Sequence, residues 1–280
     1  VVVNGGQVAS GGSLALSATA GDLNLGAPVL SAATTLGLNA AGTVLVQPGT
    51  SAAAGTDLTV NAGTLTVTSA SLSAGQDMLM TVGGGASFSG ASLFATRDIR
   101  LGAGGLVSVN GGKFDGGNEI ALSGGSFNFT SANIDPQVIR ITAVNNISIV
   151  NSTMTASDAI RILAGGSMTV TDSTFTAVTL GIESGGPLTL ERGLYIIGDA
   201  VVFASPTSIQ TVGRIVVRPL GTDLPGVAFD TRITVPAIDP LDIIQPDNPN
   251  LPASQQPTQV REPGTDAPGD FGVPTSNPAG

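Results

Sequence analysis

Residues 74–105 read AGQDMLMTVGGGASFSGASLFATRDIRLGAGG. Within them Met78 and Met80, Ala86 and Phe88, and Leu93 and Ala95 are apolar residues two apart. Alternation with period two is the signature of a β-strand. The motif then restarts at Ile99 and Leu101, 21 residues after Met78. Three short strands followed by a restart make one coil of a stack, and the pattern extends in both directions.

A first apolar series runs Leu14, Leu36, Leu58, Met78, Ile99, Ile120, Ile139, Ile160, Leu180 and Val201. A second runs Leu23, Val44, Leu65, Ala86, Val107, Phe127, Ile147, Met168, Leu188 and Ile209. A third runs Leu30, Ser51, Leu72, Leu93, Phe114, Ile134, Met154, Phe175, Leu194 and Ile215. Each strand is too short to bury its own face, so neighbouring repeats must stack. The expected fold is all-β: a right-handed parallel β-helix over residues 1–218, about ten three-stranded coils of ~21 residues. At the usual strand spacing of about 4.8 Å the rod is roughly 48 Å long. Phe127 and Ile160 are expected inside, Arg140 and Arg161 outside.

Two polar or small columns accompany the strands. Gly21, Gly42, Gly63, Gly84, Gly105, Gly125, Asn146, Gly166 and Gly186 precede the second strands. Gly reaches positive φ without steric cost and Asn tolerates it, which predicts a left-handed corner there. Ser71, Ser92, Asn133, Thr153 and Thr174 precede the third strands, where they are expected to hydrogen-bond from coil to coil. Stepping back 21 residues from Leu23 makes Val1–Val3 a second strand already, so the rod is expected to be part of a longer one.

Composition changes near residue 219. Residues 219–280 hold 12 of the 17 Pro, with 8 acidic and 2 basic residues. Residues 219–235 are expected to cover the end of the rod, and 236–280 to form a Pro-rich acidic tail, extended or disordered. The whole chain has 280 residues and net charge −10, which opposes binding to nucleic acid or anionic membranes. It has no Cys and no His, which excludes disulfides, Cys or His metal sites, and every nucleophile that relies on an imidazole. No apolar run is long enough to cross a membrane as a helix.

Residues 74–105, with 123–166 (SGGSFNFTSANIDPQVIRITAVNNISIVNSTMTASDAIRILAGG), resemble the filamentous-haemagglutinin-type repeats of large bacterial exoproteins. The resemblance covers roughly residues 1–218. It implies a secreted or cell-surface shaft with adhesive or biofilm function, exported by two-partner secretion through an outer-membrane barrel. It also implies partners among host-cell or matrix molecules, carbohydrate among them, and an N-terminal secretion domain with Asn-Pro-Asn motifs. Asn248-Pro249-Asn250 matches that motif in letters but lies in the Pro-rich tail, where Asn-Pro pairs are turn formers. Autotransporter passengers share the architecture and stand as another reading.

The residues offer two candidate chemistries, each with a plainer alternative. Asp57, Asp77, Asp98 and Glu119 precede four successive first strands, and outward carboxylates at the coil spacing repel unless a cation such as Ca²⁺ lies between them. The alternative is a solvated turn residue. Arg97, Arg100, Arg140 and Arg161 share that face with Asp98, the arrangement a carbohydrate lyase or hydrolase would use. The alternative is alternating surface charge. A saccharide cleft would want long loops and outward aromatics, and only Phe94 and Tyr195 are expected outside on the third face. Gly83-Gly84-Gly85 lacks the Gly-Lys-Ser/Thr of a phosphate loop. The expectation is therefore a non-enzymatic shaft, with no catalytic, cofactor-binding or metal-binding residue assigned.

Overall fold

The computed structural model describes residues 1–219 and the short strands Val227–Phe229 and Thr234–Pro236. All of them fall in one compact unit, Val1–Pro240. Its strands stack in parallel, each on its counterpart one coil later, as a parallel β-helix. Met78 pairs with Leu58 on one side and Ile99 on the other; Ala86 pairs with Leu65 and Val107; Leu93 pairs with Leu72 and Phe114.

The alternation sets what is inside. Leu36, Leu58, Met78, Ile99, Ile120, Ile139, Ile160 and Leu180 form one fully buried column, and Leu23 through Leu188 a second. Phe127 and Ile160 are buried, while Arg140 and Arg161 are exposed, as the period-two reading requires. Aromatic residues thicken the core: Phe88 meets Phe114 edge-on at 5.2 Å, and Phe127 stacks on Phe129 at 5.5 Å.

Three positions depart from the expected register, and a fourth from the expected burial. Leu30 and Leu72 both pair with Ala52, so Ala52 points inward and Ser51 outward. Phe175 pairs with Tyr195 rather than Leu194, and Tyr195 is wholly buried. Tyr195 in turn pairs with Val217, two residues beyond the expected Ile215, although Ile215 is itself buried. Coils of unequal length shift the third strand, and a fixed step cannot follow them. Val201, expected inside, is 36% exposed because, among the described residues, no strand covers the outer edge of Ala200–Ala204.

The left-handed corner lies elsewhere than expected. Of the Gly column only Gly21 has positive φ. Asn145, not Asn146, stands in that column: its N–H bonds the Gly125 carbonyl, and its own carbonyl accepts from Gly166. The column needs Gly for space. A Cβ on Gly63 would lie 2.7 Å from the Ala41 carbonyl oxygen and 2.9 Å from that of Gly42. The positive-φ position falls instead between second and third strands, once in every coil: Gly5, Ala27, Gly49, Ser69, Gly90, Gly111, Ser131, Asn151, Asp172, Arg192 and Gly213. Six of the eleven carry side chains, so stacking of the coils on either side imposes a conformation that the sequence alone disfavours.

From Thr50 to Gly193 the next residue in each coil turns inward and is small, whereas after Gly5 and Gly213 the exposed Gly6 and Arg214 follow. Thr50, Ser152 and Ser173 are buried there, and Ala70, Ala91 and Ala132 share the column. Ser152 Oγ accepts the Ala132 N–H at 3.1 Å, and Ser173 Oγ accepts the Ser152 N–H at 3.1 Å. The coil-to-coil hydroxyl ladder therefore runs one residue before the column expected to form it.

At the far end the pairing changes direction. Val227–Phe229 runs antiparallel to Ile215–Pro219, and Thr234–Pro236 antiparallel to Ser208–Val212. These strands lie within or beside the stretch expected to cover the rod. The tail expected from 236 onward lies, beyond Pro236, outside the described residues.

Candidate functional site

The charged face is built by the first strands. Asp57, Asp77, Asp98 and Glu119 sit just before or at the start of successive strands, and Arg100, Arg140 and Arg161 sit at the outward position after the first buried residue. Arg100 and Arg140 flank Ala121 in one column, and Arg140 is next to Arg161.

The acidic column does not simply project into solvent. Asp57 Oδ1 accepts the Asp77 N–H at 3.2 Å, Asp77 Oδ1 the Asp98 N–H at 3.4 Å, and Asp98 Oδ1 the Glu119 N–H at 3.2 Å. Each carboxylate thus binds the backbone of the next coil at a corner where the strand ladder has not begun. Asp98 goes furthest: it is only 9% exposed, and it also accepts from Asn118 Nδ2 and Arg100 Nη2, both at 2.9 Å. Among the described residues no group of three or more acidic side chains is placed to hold a metal ion.

The arginines neutralise this column. Arg97 forms a two-pronged pair with Asp77. Arg140 Nε lies 2.8 Å from Glu119, while Arg161 pairs outside the column, its Nη2 3.5 Å from Glu183. The Arg97 guanidinium holds the Asp77 carboxyl below the usual carboxylate range. A second clamp of the same design occupies the left-handed corner, where Arg192 grips Asp172 with Nε and Nη2 at 2.7 and 2.8 Å and depresses its pKa. These pairs are solvent-exposed, so each contributes little alone.

The two aromatics expected outside separate. Phe94 is 44% exposed, whereas Tyr195 stacks on Phe175 at 5.4 Å and meets Phe203 edge-on at 5.2 Å. Its Oη is the one buried side-chain polar atom among the described residues without a hydrogen-bond partner, and desolvation raises its pKa.

One feature escaped the sequence reading. A shallow groove of about 500 Å³ runs along the corner between first and second strands in the coils that contain Ser17, Asn39, Asn61 and Thr81. Asn61 Nδ2 donates to Asn39 Oδ1 at 2.9 Å, and Asn39 Nδ2 donates to Ser17 Oγ at 3.5 Å. The signal was present: Asn39 and Asn61 each stand one residue after an inward apolar residue and are followed by Ala-Ala and Ala-Gly.

No family model, curated protein or solved structure matches this chain.

Proposed function

We propose that this chain is a shaft segment of a secreted, surface-exposed bacterial adhesin, serving attachment or biofilm formation rather than turnover of a substrate. The observation that supports this most is how the charged side chains are used. Asp57, Asp77 and Asp98 each bind the backbone of the next coil, and Arg97, Arg100 and Arg140 pair with the same column. Carboxylates engaged in holding coils together favour a rigid spacer, along which many weak contacts add up. The resemblance of residues 74–105 and 123–166 to filamentous-haemagglutinin repeats supports the surface location and the two-partner route.

A carbohydrate-active β-helix is the second reading, favoured by one observation: Arg100 Nη2 lies 2.9 Å from Asp98 and 3.8 Å from Glu119, so two carboxylates and a cation share one patch. One experiment separates the readings. Beads coated with the purified chain should adhere to epithelial cells or to a bacterial lawn, and the chain should release no reducing ends or unsaturated products from acidic and neutral polysaccharides. Turnover abolished by Asp98→Asn would establish the enzyme, and beads that adhere no better than albumin-coated ones would remove the adhesin.

A further inference from the structure

We infer that the groove beside Asn39 and Asn61 is a binding site for a neutral oligosaccharide. The inference rests on the adhesive reading and gives it a ligand class.

The chemistry of the groove selects the ligand. Its polar lining consists of Ser17, Thr19, Asn39, Asn61 and Thr81, and it includes no charged side chain. The amides are arranged as a ladder, because the period of the coils places Asn39 and Asn61 in register as neighbours. One N–H of Asn61 is used on Asn39, which leaves the second N–H of that amide and its Oδ1 open to the groove. An amide that offers a donor beside an acceptor matches adjacent sugar hydroxyls, each of which is both. The floor is made of Ala and Gly: Ala40, Ala41, Ala62 and Gly63, apolar but too small to fill the notch. It gives the C–H face of a pyranose ring a surface to lie on.

Other ligand classes fit less well. An extended peptide would seek unpaired backbone groups. Here the backbone is already committed from coil to coil: the Gly42 N–H bonds the Gly21 carbonyl at 2.8 Å, Gly83 bonds Ala62 at 2.9 Å and Gly84 bonds Gly63 at 2.7 Å. A phosphate or sulfate group would meet no cation in the lining. The groove extends over three coil steps, about 14 Å at the strand spacing, which suits a short oligosaccharide lying along the rod. Its volume of about 500 Å³ is within the range of small-ligand sites.

The test uses the whole chain and saturation-transfer NMR against maltotriose, cellotriose and tri-N-acetylchitotriose, with 3′-sialyllactose as the charged comparison, all at millimolar concentration. At least one neutral trisaccharide should bind. Asn39→Ala combined with Asn61→Ala should weaken it about tenfold, the effect of one or two lost hydrogen bonds. Asn61→Lys, an exposed change that obstructs the notch, should abolish it, and Asn128→Ala on the adjoining face should leave it intact. Failure of every neutral trisaccharide to bind, binding of 3′-sialyllactose alone, or binding that survives both groove variants would overturn the site. If coated beads still adhere to cells while no trisaccharide binds, the groove falls and the adhesive reading stands.

Discussion

Gly193 leaves the space that Tyr195 fills: a Cβ on Gly193 would lie 2.6 Å from the Tyr195 ring and 2.7 Å from its Oη. One coil earlier that corner holds Ser173, whose hydroxyl binds the Thr171 carbonyl and accepts the Ser152 N–H. Tyr195 replaces the small hydroxyl with a ring stacked on Phe175, but its Oη finds no partner. A buried, unmade hydrogen bond costs about 1–3 kcal/mol. Tyr195→Phe keeps the ring and removes that cost, so it should raise the thermal midpoint, whereas Gly193→Ala should lower it. A lower midpoint for Tyr195→Phe would mean that Oη is satisfied by a bound water.

Tyr195 is the sole tyrosine, so phenolate absorbance reports on it alone. Desolvation raises its pKa in the folded chain above the unfolded value of about 10. The neutral phenol is therefore the form the fold prefers. Its contribution is fully present below about pH 10 and declines as pH rises beyond that. Alkaline titration should show phenolate appearing together with loss of the β-sheet signal, not before it. Lys113, held above its usual pKa by Asp115, loses its contribution in the same direction, so Tyr195→Phe should reduce the alkaline sensitivity without removing it.

Ala27 holds φ +59° and Gly49, one coil on, φ +82°. A left-handed residue with a side chain costs about 1–2 kcal/mol, partly offset by the lower entropy of its unfolded chain. Ala27→Gly should therefore stabilise by about 0.5–1 kcal/mol, and Gly49→Ala should destabilise by about as much. Chemical denaturation of the two variants measures both, and equal and opposite shifts in midpoint are expected.

That corner also shows why part of the fold was legible and part was not. Leucine and isoleucine recurring at Leu36, Leu58 and Ile99 announce burial by chemistry alone. Ala52 does not, since alanine is common on both faces, and its neighbour Ser51 kept a stricter step of 21 from Leu30. Leu194 hid Tyr195 for the opposite reason: the more apolar residue of the two is the one turned partly outward. The Gly column at Gly63 and Gly105 was visible, but sequence does not distinguish glycine needed for space from glycine needed for φ. The true corner was masked by Ala27, Ser69 and Arg192, which the stacking of neighbouring coils forces into place. The amide groove depends on register between Asn39 and Asn61, and becomes a site only once the coils are stacked.

Acid should weaken the rod through its two arginine clamps. Asp77 and Asp172 have pKa values lowered mainly by hydrogen bonds from Arg97 and Arg192. A depressed carboxylate contributes stability above its unfolded value of about 4 and loses it as pH falls through the folded value. Stability should thus decline below about pH 4, and Asp77→Asn with Asp172→Asn should flatten that decline. Added salt should do the same in part, because the pairs are exposed and screened. An unchanged acid limb in the double variant would assign the loss to other carboxylates.

Asp98 separates the structural role of the charged face from a chemical one. Its Oδ1 accepts from Asn118 Nδ2 and from the Glu119 N–H, and its Oδ2 from Arg100. Asp98→Ala removes all three contacts and leaves the partly buried Glu119 N–H without an acceptor, a loss of about 1–3 kcal/mol. Asp98→Asn retains an amide oxygen for Asn118 or Glu119 and gives up chiefly the pair with Arg100, which is exposed on the arginine side and contributes under about 1 kcal/mol. If the residue holds coils together, Asn should behave much like Asp while Ala destabilises. A general acid or base would give a different order: both substitutions would eliminate turnover, however little Asn disturbs the fold. Thermal midpoints of the two variants, measured beside the polysaccharide assay, decide between these orders.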